Sequence, residues 1–171
     1  TELREVAIRQ FHASADQSDP LAAYRVALTG GNAKSGRDIF VGHTAAQCIR
    51  CHKVDDRGGS AGPDLSNVAS AERTVDRRYL LESIVSPNAK ITKGFGTVTI
   101  VLDSGKLVAG TIKANDETTL TVVTPENKTI RIDRRNIDAQ SATTSAMPEM
   151  TKTLTLREMR DLVEYLSTLK A

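Results

Sequence analysis

The chain has 171 residues, which is enough to bury the core of one or two small domains. Its 23 Lys and Arg residues nearly balance its 21 Asp and Glu residues, and the net charge of +2 argues against a nucleic-acid-binding surface. Trp is absent and aromatic residues are scarce, so a stacking platform for bases is not expected. No apolar run approaches the length of a membrane span.

Two helical patterns come first in the chain. Residues 2–15 place apolar side chains at three-to-four spacing and predict a short amphipathic helix. Leu21 to Leu28 predict a second helix, which ends at the turn Gly30-Gly31-Asn32. Neither pattern carries chemistry, so residues 1–29 are interpreted as a helical segment or linker.

The next helix is predicted to begin with Ser35 as its N-cap. Gly36 and Phe40 lie one turn apart on one face of this helix. An ordinary helix with one glycine is the alternative. The position of the pair just before a cysteine motif favours a specific packing role.

That motif is Cys48-Ile49-Arg50-Cys51-His52, and it holds both cysteines of the chain. Cys48 and Cys51 lie one helical turn apart, so each thiol can form a thioether with one of the two vinyl groups of haem, and His52 can then bind the iron as proximal ligand. A zinc site would need a second ligand pair, and His12 and His43 are isolated. A thioredoxin-like dithiol should open a helix in a βαβ pattern, which the flanks lack. The motif is typical of one covalently attached haem c, with a disulfide, a redox dithiol and a metal site as alternatives.

The stretch from Arg57 to Leu65 is rich in glycine and is interpreted as neither helix nor strand. It is either a flexible loop or a loop that wraps the proximal edge of the haem. In the second case the carbonyl of Pro63 or a neighbour accepts a hydrogen bond from the free ring nitrogen of His52, which orients this ligand. Arg57 is either a partner for a haem propionate or a solvated side chain.

Tyr79 to Val85 predict a compact amphipathic helix that stops before Pro87. Its residues Leu81, Ile84 and Val85 are expected to line a haem pocket, because exclusion of water from the ring raises the reduction potential. Ordinary core packing is the alternative for each of them.

From residue 94 the apolar period becomes that of strands. Four β-branched runs separated by turn residues predict an antiparallel meander or small barrel inserted at residues 94–138. The insertion either shields the haem, docks a redox partner, or is itself a binding module for protein or glycan. The four runs are Thr97 to Leu102, Leu107 to Ile112, Thr118 to Val123 and Thr129 to Ile132.

The last helix is predicted from a capping box, Thr155 with Glu158 three residues later. Its predicted buried stripe is Leu156, Met159, Leu162, Val163, Leu166 and Leu169.

Two methionines precede this helix. A thioether is a soft ligand suited to haem iron, so Met147, held by the stiff Pro148, is predicted to be the distal axial ligand. Met150 is the alternative ligand. Met159 lies on the apolar face of the last helix and is expected in the core.

These stretches, in this order, resemble a class I c-type cytochrome. More narrowly, they resemble the haem-binding C-terminal domain of large planctomycete and verrucomicrobial proteins. The similarity covers roughly residues 21 to 171, and the cysteine motif is its most specific part. The matching stretches are Gly30-Gly31, Gly36 to Phe40, Cys48 to His52, Gly58 to Leu65, Leu80 to Asn88, Gly94-Phe95-Gly96 and Ser145 to Pro148.

The resemblance implies a mostly α cytochrome c fold, with helices around one haem and a small antiparallel β meander or barrel inserted into it, so that the chain is α+β overall. The cytochrome domain would span residues 30–171 and be interrupted by residues 94–138. Gly36 and Phe40 would pack its first helix against the C-terminal helix.

The expected function is that of a monohaem c-type cytochrome domain that carries single electrons between redox partners. The partner would be a separate redox protein or a fused dehydrogenase domain, and the domain itself would not be an enzyme, because a six-coordinate iron leaves no site for a substrate. The alternative is a haem c enzyme, or a gas or redox sensor, with an open sixth position. Haem is attached to such motifs outside the bacterial cytoplasm, so a periplasmic or other extracytoplasmic location is expected.

Overall fold

The structure is a computed structural model that describes residues 19–73 and 75–170. The helix predicted over residues 2–15 lies outside the described residues. The described residues form two compact units: those up to Ser86 together with those from Glu149 onwards, and Pro87–Pro148. The first is called the helical unit and the second the β unit. None of the helices described is long and apolar enough to cross a membrane.

The helical unit contains four α-helices, two short 3₁₀-helices and one hairpin in its described part. These elements are the 3₁₀-helix Ala22–Ala27, α1 (Ala33–Gly42), α2 (Cys48–Cys51), β1 (Lys53–Val54), β2 (Arg57–Gly58), α3 (Arg77–Val85), the 3₁₀-helix Met150–Lys152 and α4 (Leu156–Ser167).

Side-chain caps set the starts of the three longer helices. Asn32 accepts the N–H of Ser35, so α1 begins after Asn32, and the prediction of Ser35 as the N-cap is wrong. Asp76 caps α3 in the same way, so this helix begins at Arg77, two residues before the predicted start at Tyr79. The capping box of Thr155 and Glu158 at α4 is confirmed.

Helix α1 crosses α4 at close range, and the expected contact of the Gly36 and Phe40 face with the C-terminal helix is confirmed. A Cβ on Gly36 would lie 1.9 Å from the carbonyl oxygen of Asp161, so the two backbones can approach this closely only at a glycine. One turn on, the ring centroids of Phe40 and Tyr165 are 5.8 Å apart. The prediction that Met159 belongs to the core is also confirmed, since it is 1% exposed.

Charged contacts join the helices of this unit. Arg77 donates to both carboxylate oxygens of Glu164, at 2.6 and 2.9 Å, and so links α3 to α4. Asp19 accepts from Arg25 and Arg78, and these guanidinium groups hold the pKa of its carboxyl well below the usual range.

The β unit is built on one antiparallel sheet. Its strands are β3 (Gly96–Leu102), β4 (Leu107–Asn115), β5 (Thr119–Val123), β6 (Thr129–Asp133), β7 (Ile137–Gln140) and β8 (Thr144–Ser145), with a 3₁₀ turn at Arg134–Asn136. The order is β6-β5-β4-β3, and both β7 and β8 pair with the other edge of β3. Alternate residues of the strands face one core, which consists of Val98, Ile100, Val108, Leu120, Val122 and Ile132.

The expectation of a mostly α fold is wrong. The described chain is α+β, with six strands in one antiparallel sheet. The four predicted runs do form the meander from β3 to β6, but β7 and β8 add two strands that sequence reasoning did not find. They have four and two residues, too few to show an alternating pattern, and they form because β3 offers unpaired backbone groups along its edge.

Candidate functional site

The cysteine motif forms a single helical turn. Gln47 opens α2 in the left-handed conformation, with φ of 47°, and the N–H of His52 closes it on the carbonyl of Cys48 at 2.9 Å. Residues three apart on a helix share a face, so the turn presents the thiols of Cys48 and Cys51 on one side. Cys51 is exposed and Cys48 is half-buried, and burial raises the pKa of the Cys48 thiol.

A tight hairpin follows the motif at once. Asp55 and Asp56 both have positive φ, 49° and 61°, which gives the turn the twist that suits a two-residue hairpin between β1 and β2. Arg57 and Gly58 are therefore strand residues, and the interpretation of the whole glycine-rich stretch as non-strand is wrong at its start.

The rest of the glycine-rich stretch packs on the backbone of α2. The N–H of Gly59 donates to the carbonyl of Ile49 at 2.9 Å, and the N–H of Gly62 donates to the carbonyl of Cys51 at 2.7 Å. These bonds satisfy carbonyls that a four-residue helix leaves without partners. The segment therefore holds the backbone of α2 in place through these two hydrogen bonds.

The imidazole of His52 is held in one orientation and one tautomer. Its Nδ1 lies 2.9 Å from the carbonyl oxygen of Pro63, which is the contact that the sequence predicts. A carbonyl oxygen only accepts, so Nδ1 carries the proton and Nε2 keeps its lone pair free for a ligand bond. Burial lowers the pKa of His52, although the hydrogen bond to Pro63 opposes this shift, so the neutral form is favoured.

This lowered pKa predicts a pH dependence of folding in the haem-free protein. Below the ordinary imidazole value of about 6.5, the unfolded chain takes up a proton that the folded chain resists. The free energy of unfolding should therefore fall as pH drops from about 7.5 to about 5.5, and this part of the fall should vanish in His52→Gln. Urea unfolding at several pH values measures it. Equal slopes in the two proteins would contradict the prediction.

The three methionines lie in different surroundings. Met150 is 6% exposed and belongs to the helical unit, where its 3₁₀-helix contacts α3. Met147 belongs to the β unit and is half-buried, and its N–H donates to Ser145 Oγ at 3.1 Å. The assignment of Met147 as distal ligand, with Met150 as the alternative, stays a prediction.

The remaining predicted site residues all belong to the helical unit. Leu81, Ile84 and Val85 are buried in α3, and their role in lining a haem pocket stays a prediction. Arg57 is exposed on β2, and pairing with a propionate likewise stays a prediction.

Two residues of the site were missed by sequence reasoning. A Cβ on Gly62 would come within 2.6 Å of Cε1 of His52, and one on Gly59 would lie 1.9 Å from the carbonyl oxygen of Arg50. Because Gly59 and Gly62 have no side chain, the loop can lie directly against the motif. Their positions seven and ten residues after His52 are the only signal in the sequence, and one sequence alone does not distinguish such glycines from ordinary loop glycines.

The arrangement fits a covalently attached haem. It offers two thiols on one face of a turn, one of them exposed, and a neutral imidazole with a fixed Nδ1 proton. Among residues 19–73 and 75–170, no group of three or more His, Cys, Asp or Glu side chains could hold a metal ion. Comparison of the chain with protein-family models finds no match, and no curated protein matches it.

Proposed function

We propose that this chain is a monohaem c-type cytochrome domain that carries single electrons between redox partners and receives them from a dehydrogenase. The observation that carries the proposal is the His52 imidazole, fixed by the Pro63 carbonyl directly after a turn that presents two thiols. An imidazole whose Nδ1 proton is held by a carbonyl oxygen and whose Nε2 is free has the form that an axial ligand of haem iron requires. The dehydrogenase is either a separate protein or a domain fused to this one.

Each residue of the motif has a distinct role in this proposal. The S–H of Cys48 and that of Cys51 each add across one vinyl C=C bond, so that sulfur joins one carbon and hydrogen the other and no group is lost. His52 binds through Nε2, while Pro63 keeps its ring from turning. The bound haem supplies a one-electron Fe(III)/Fe(II) couple.

Attachment through these thioethers implies an extracytoplasmic location, as in the periplasm, and a distal methionine implies that the domain is not an enzyme. A haem c enzyme, or a gas or redox sensor with an open sixth position, is the second candidate. Carbon monoxide binding by the reduced protein separates the two, because a firmly bound methionine leaves carbon monoxide no free position.

Single replacements of the two cysteines test the attachment. Cys48→Ala and Cys51→Ala should each leave one vinyl group unreacted, so the pyridine haemochrome band should move to longer wavelength in both, and the double variant should hold no covalent haem. Arg50→Gln is the matched control, because it changes an exposed side chain of the same turn and keeps both thiols. A spectrum that neither single replacement alters would refute the attachment.

A further inference from the structure

One peptide unit carries the carbonyl that orients His52. The Pro63 oxygen lies 2.9 Å from Nδ1 of His52, and the peptide that contains this oxygen joins Pro63 to Asp64. Because a peptide unit is planar, the oxygen keeps its place only if ψ of Pro63 and φ of Asp64 both stay fixed. Beyond this peptide, the N–H of Leu65 donates to the carbonyl of Lys53 at 2.8 Å. Any contact that restricts Asp64 therefore helps to fix the oxygen that faces His52.

The carboxylate of Asp64 has partners on both of its oxygens. Its Oδ1 accepts the N–H of Ser66 at 2.9 Å and the hydroxyl of Ser66 at 2.6 Å. Its Oδ2 lies 3.4 Å from Nζ of Lys53. The hydrogen bonds from Ser66, and then the ammonium group of Lys53, lower the pKa of Asp64, so the group is ionised and is a strong acceptor. These contacts restrict the dihedral angles of Asp64.

Ser66 connects this carboxylate to the hairpin that follows the cysteine motif. Oγ of Ser66 accepts the N–H of Asp55 at 3.0 Å, and Asp55 lies in the turn between β1 and β2. Strand β1 begins at Lys53, directly after His52. The contacts that start at Asp64 thus return to the backbone three residues after the imidazole. All of these residues belong to the helical unit.

We propose that Asp64 is a positioning residue for His52 and acts on the imidazole through the carbonyl of Pro63. The carboxylate fixes the peptide between Pro63 and Asp64, and the carbonyl of this peptide fixes the Nδ1 proton. The ring then keeps Nε2 free for a ligand bond. The effect on the ring depends only on contacts within the helical unit. The effect on an iron ligand rests on the proposed function, since it requires haem.

The test uses the purified full chain and two measurements. The first is the rate at which the Nδ1 proton of His52 exchanges with solvent, followed by NMR with the haem iron reduced. The second is the reduction potential. Asp64→Ala should speed the exchange by about tenfold, as expected for the loss of a hydrogen bond to a charged group. It should also raise the potential, because His52 would become a less basic ligand.

Two further variants separate the position of the carboxylate from its charge. Asp64→Asn keeps an acceptor oxygen for Ser66 and should restore both quantities toward the wild-type values. Ser66→Ala removes only the hydroxyl partner, so it should change both quantities in the same direction as Asp64→Ala but less. This milder variant also carries the test if Asp64→Ala fails to fold. Backbone amides of α4, measured in the same spectra, should exchange as in the wild type, because the effect is local.

Asp56→Asn is the matched control for charge. The carboxylate of Asp56 pairs with Nζ of the same Lys53, at 3.2 Å, but Asp56 is exposed and lies outside the segment from Pro63 to Ser66. Its φ is positive, which asparagine tolerates. Both quantities should therefore stay near the wild-type values.

Two results would overturn the positioning role and leave the proposed function intact. They are wild-type proton exchange in both Asp64→Ala and Ser66→Ala, and a change in Asp56→Asn equal to that in Asp64→Ala. A chain purified without haem would instead overturn the proposed function. The exchange of the His52 proton, measured on that haem-free chain, would still decide whether Asp64 positions the ring.

Discussion

Gly36→Ala is expected to destabilise the helical unit by about 3 kcal/mol, the upper end of the usual cost of overpacking. The added Cβ would lie 1.9 Å from the carbonyl oxygen of Asp161 and 2.7 Å from Cβ of Tyr165. Both belong to α4, and the first is backbone that a rotamer change cannot move. The helices must therefore separate, which also loosens the contact of Phe40 with Tyr165. Urea unfolding of the wild type and the variant, monitored by far-ultraviolet circular dichroism, measures the difference in the free energy of unfolding.

Gly42→Ala in the same helix is the control. A Cβ at Gly42 meets nothing within 4 Å, and the residue is exposed. Alanine has the higher helix propensity, so this variant should be more stable than wild type by about 0.5 kcal/mol. If Gly36→Ala matched Gly42→Ala in stability, the close crossing of α1 and α4 would be contradicted.

Where the signal is local, the sequence predicts this structure well. The capping box at Thr155 and Glu158 depends on residues three apart, and both hydrogen bonds form. The strands of the meander are long enough to show alternation, and the turns between them are marked by polar residues. The hydrogen bond of His52 to Pro63 is also local, since the intervening loop brings the carbonyl back to the ring.

Where the decisive contact is distant in the chain, the sequence predicts less. The strand β8 exists because β3 has a free edge, and its two residues carry no pattern of their own. Both Asn32 and Ser35 are good N-caps for α1, so the sequence alone does not choose between them. In the structure Asn32 is the cap, and its own N–H donates to the buried Asp161 of α4 at 2.8 Å. Leu156, predicted in the buried stripe, is 38% exposed because it lies at the first position of α4.

In the candidate site, too, some residues can be predicted from the sequence and others cannot. The prediction of haem attachment depends on the residue types of Cys48, Cys51 and His52, because few other sites use two thiols and an imidazole at this spacing. The roles of Gly59 and Gly62 cannot be predicted in this way. A glycine in a sequence usually indicates a flexible loop, whereas here the missing side chains leave room for the backbone of α2 and the ring of His52.

Gly62→Ala is expected to turn the ring of His52 and break its hydrogen bond to Pro63. The added Cβ would lie 2.6 Å from Cε1 and 2.8 Å from Nδ1 of the imidazole, so either the ring or the loop must move. The lost hydrogen bond and the overpacking should together cost about 2 kcal/mol of stability in the haem-free protein. In the haem-loaded form that we propose, His52 would become a less basic iron ligand, so the reduction potential should rise. Nitrogen NMR of the His52 ring and a redox titration measure the two effects.

Gly59→Ala separates ring displacement from general destabilisation. Its Cβ would lie 1.9 Å from the carbonyl oxygen of Arg50, and its three nearest atoms all belong to the backbone of α2, whereas those of a Cβ on Gly62 all belong to the imidazole. It should lower stability at least as much as Gly62→Ala while the ring signals of His52 and the potential stay nearer to wild type. If both variants changed the reduction potential by the same amount, the potential would depend on the stability of the loop as a whole. That result would contradict a specific effect of Gly62 on the His52 ring.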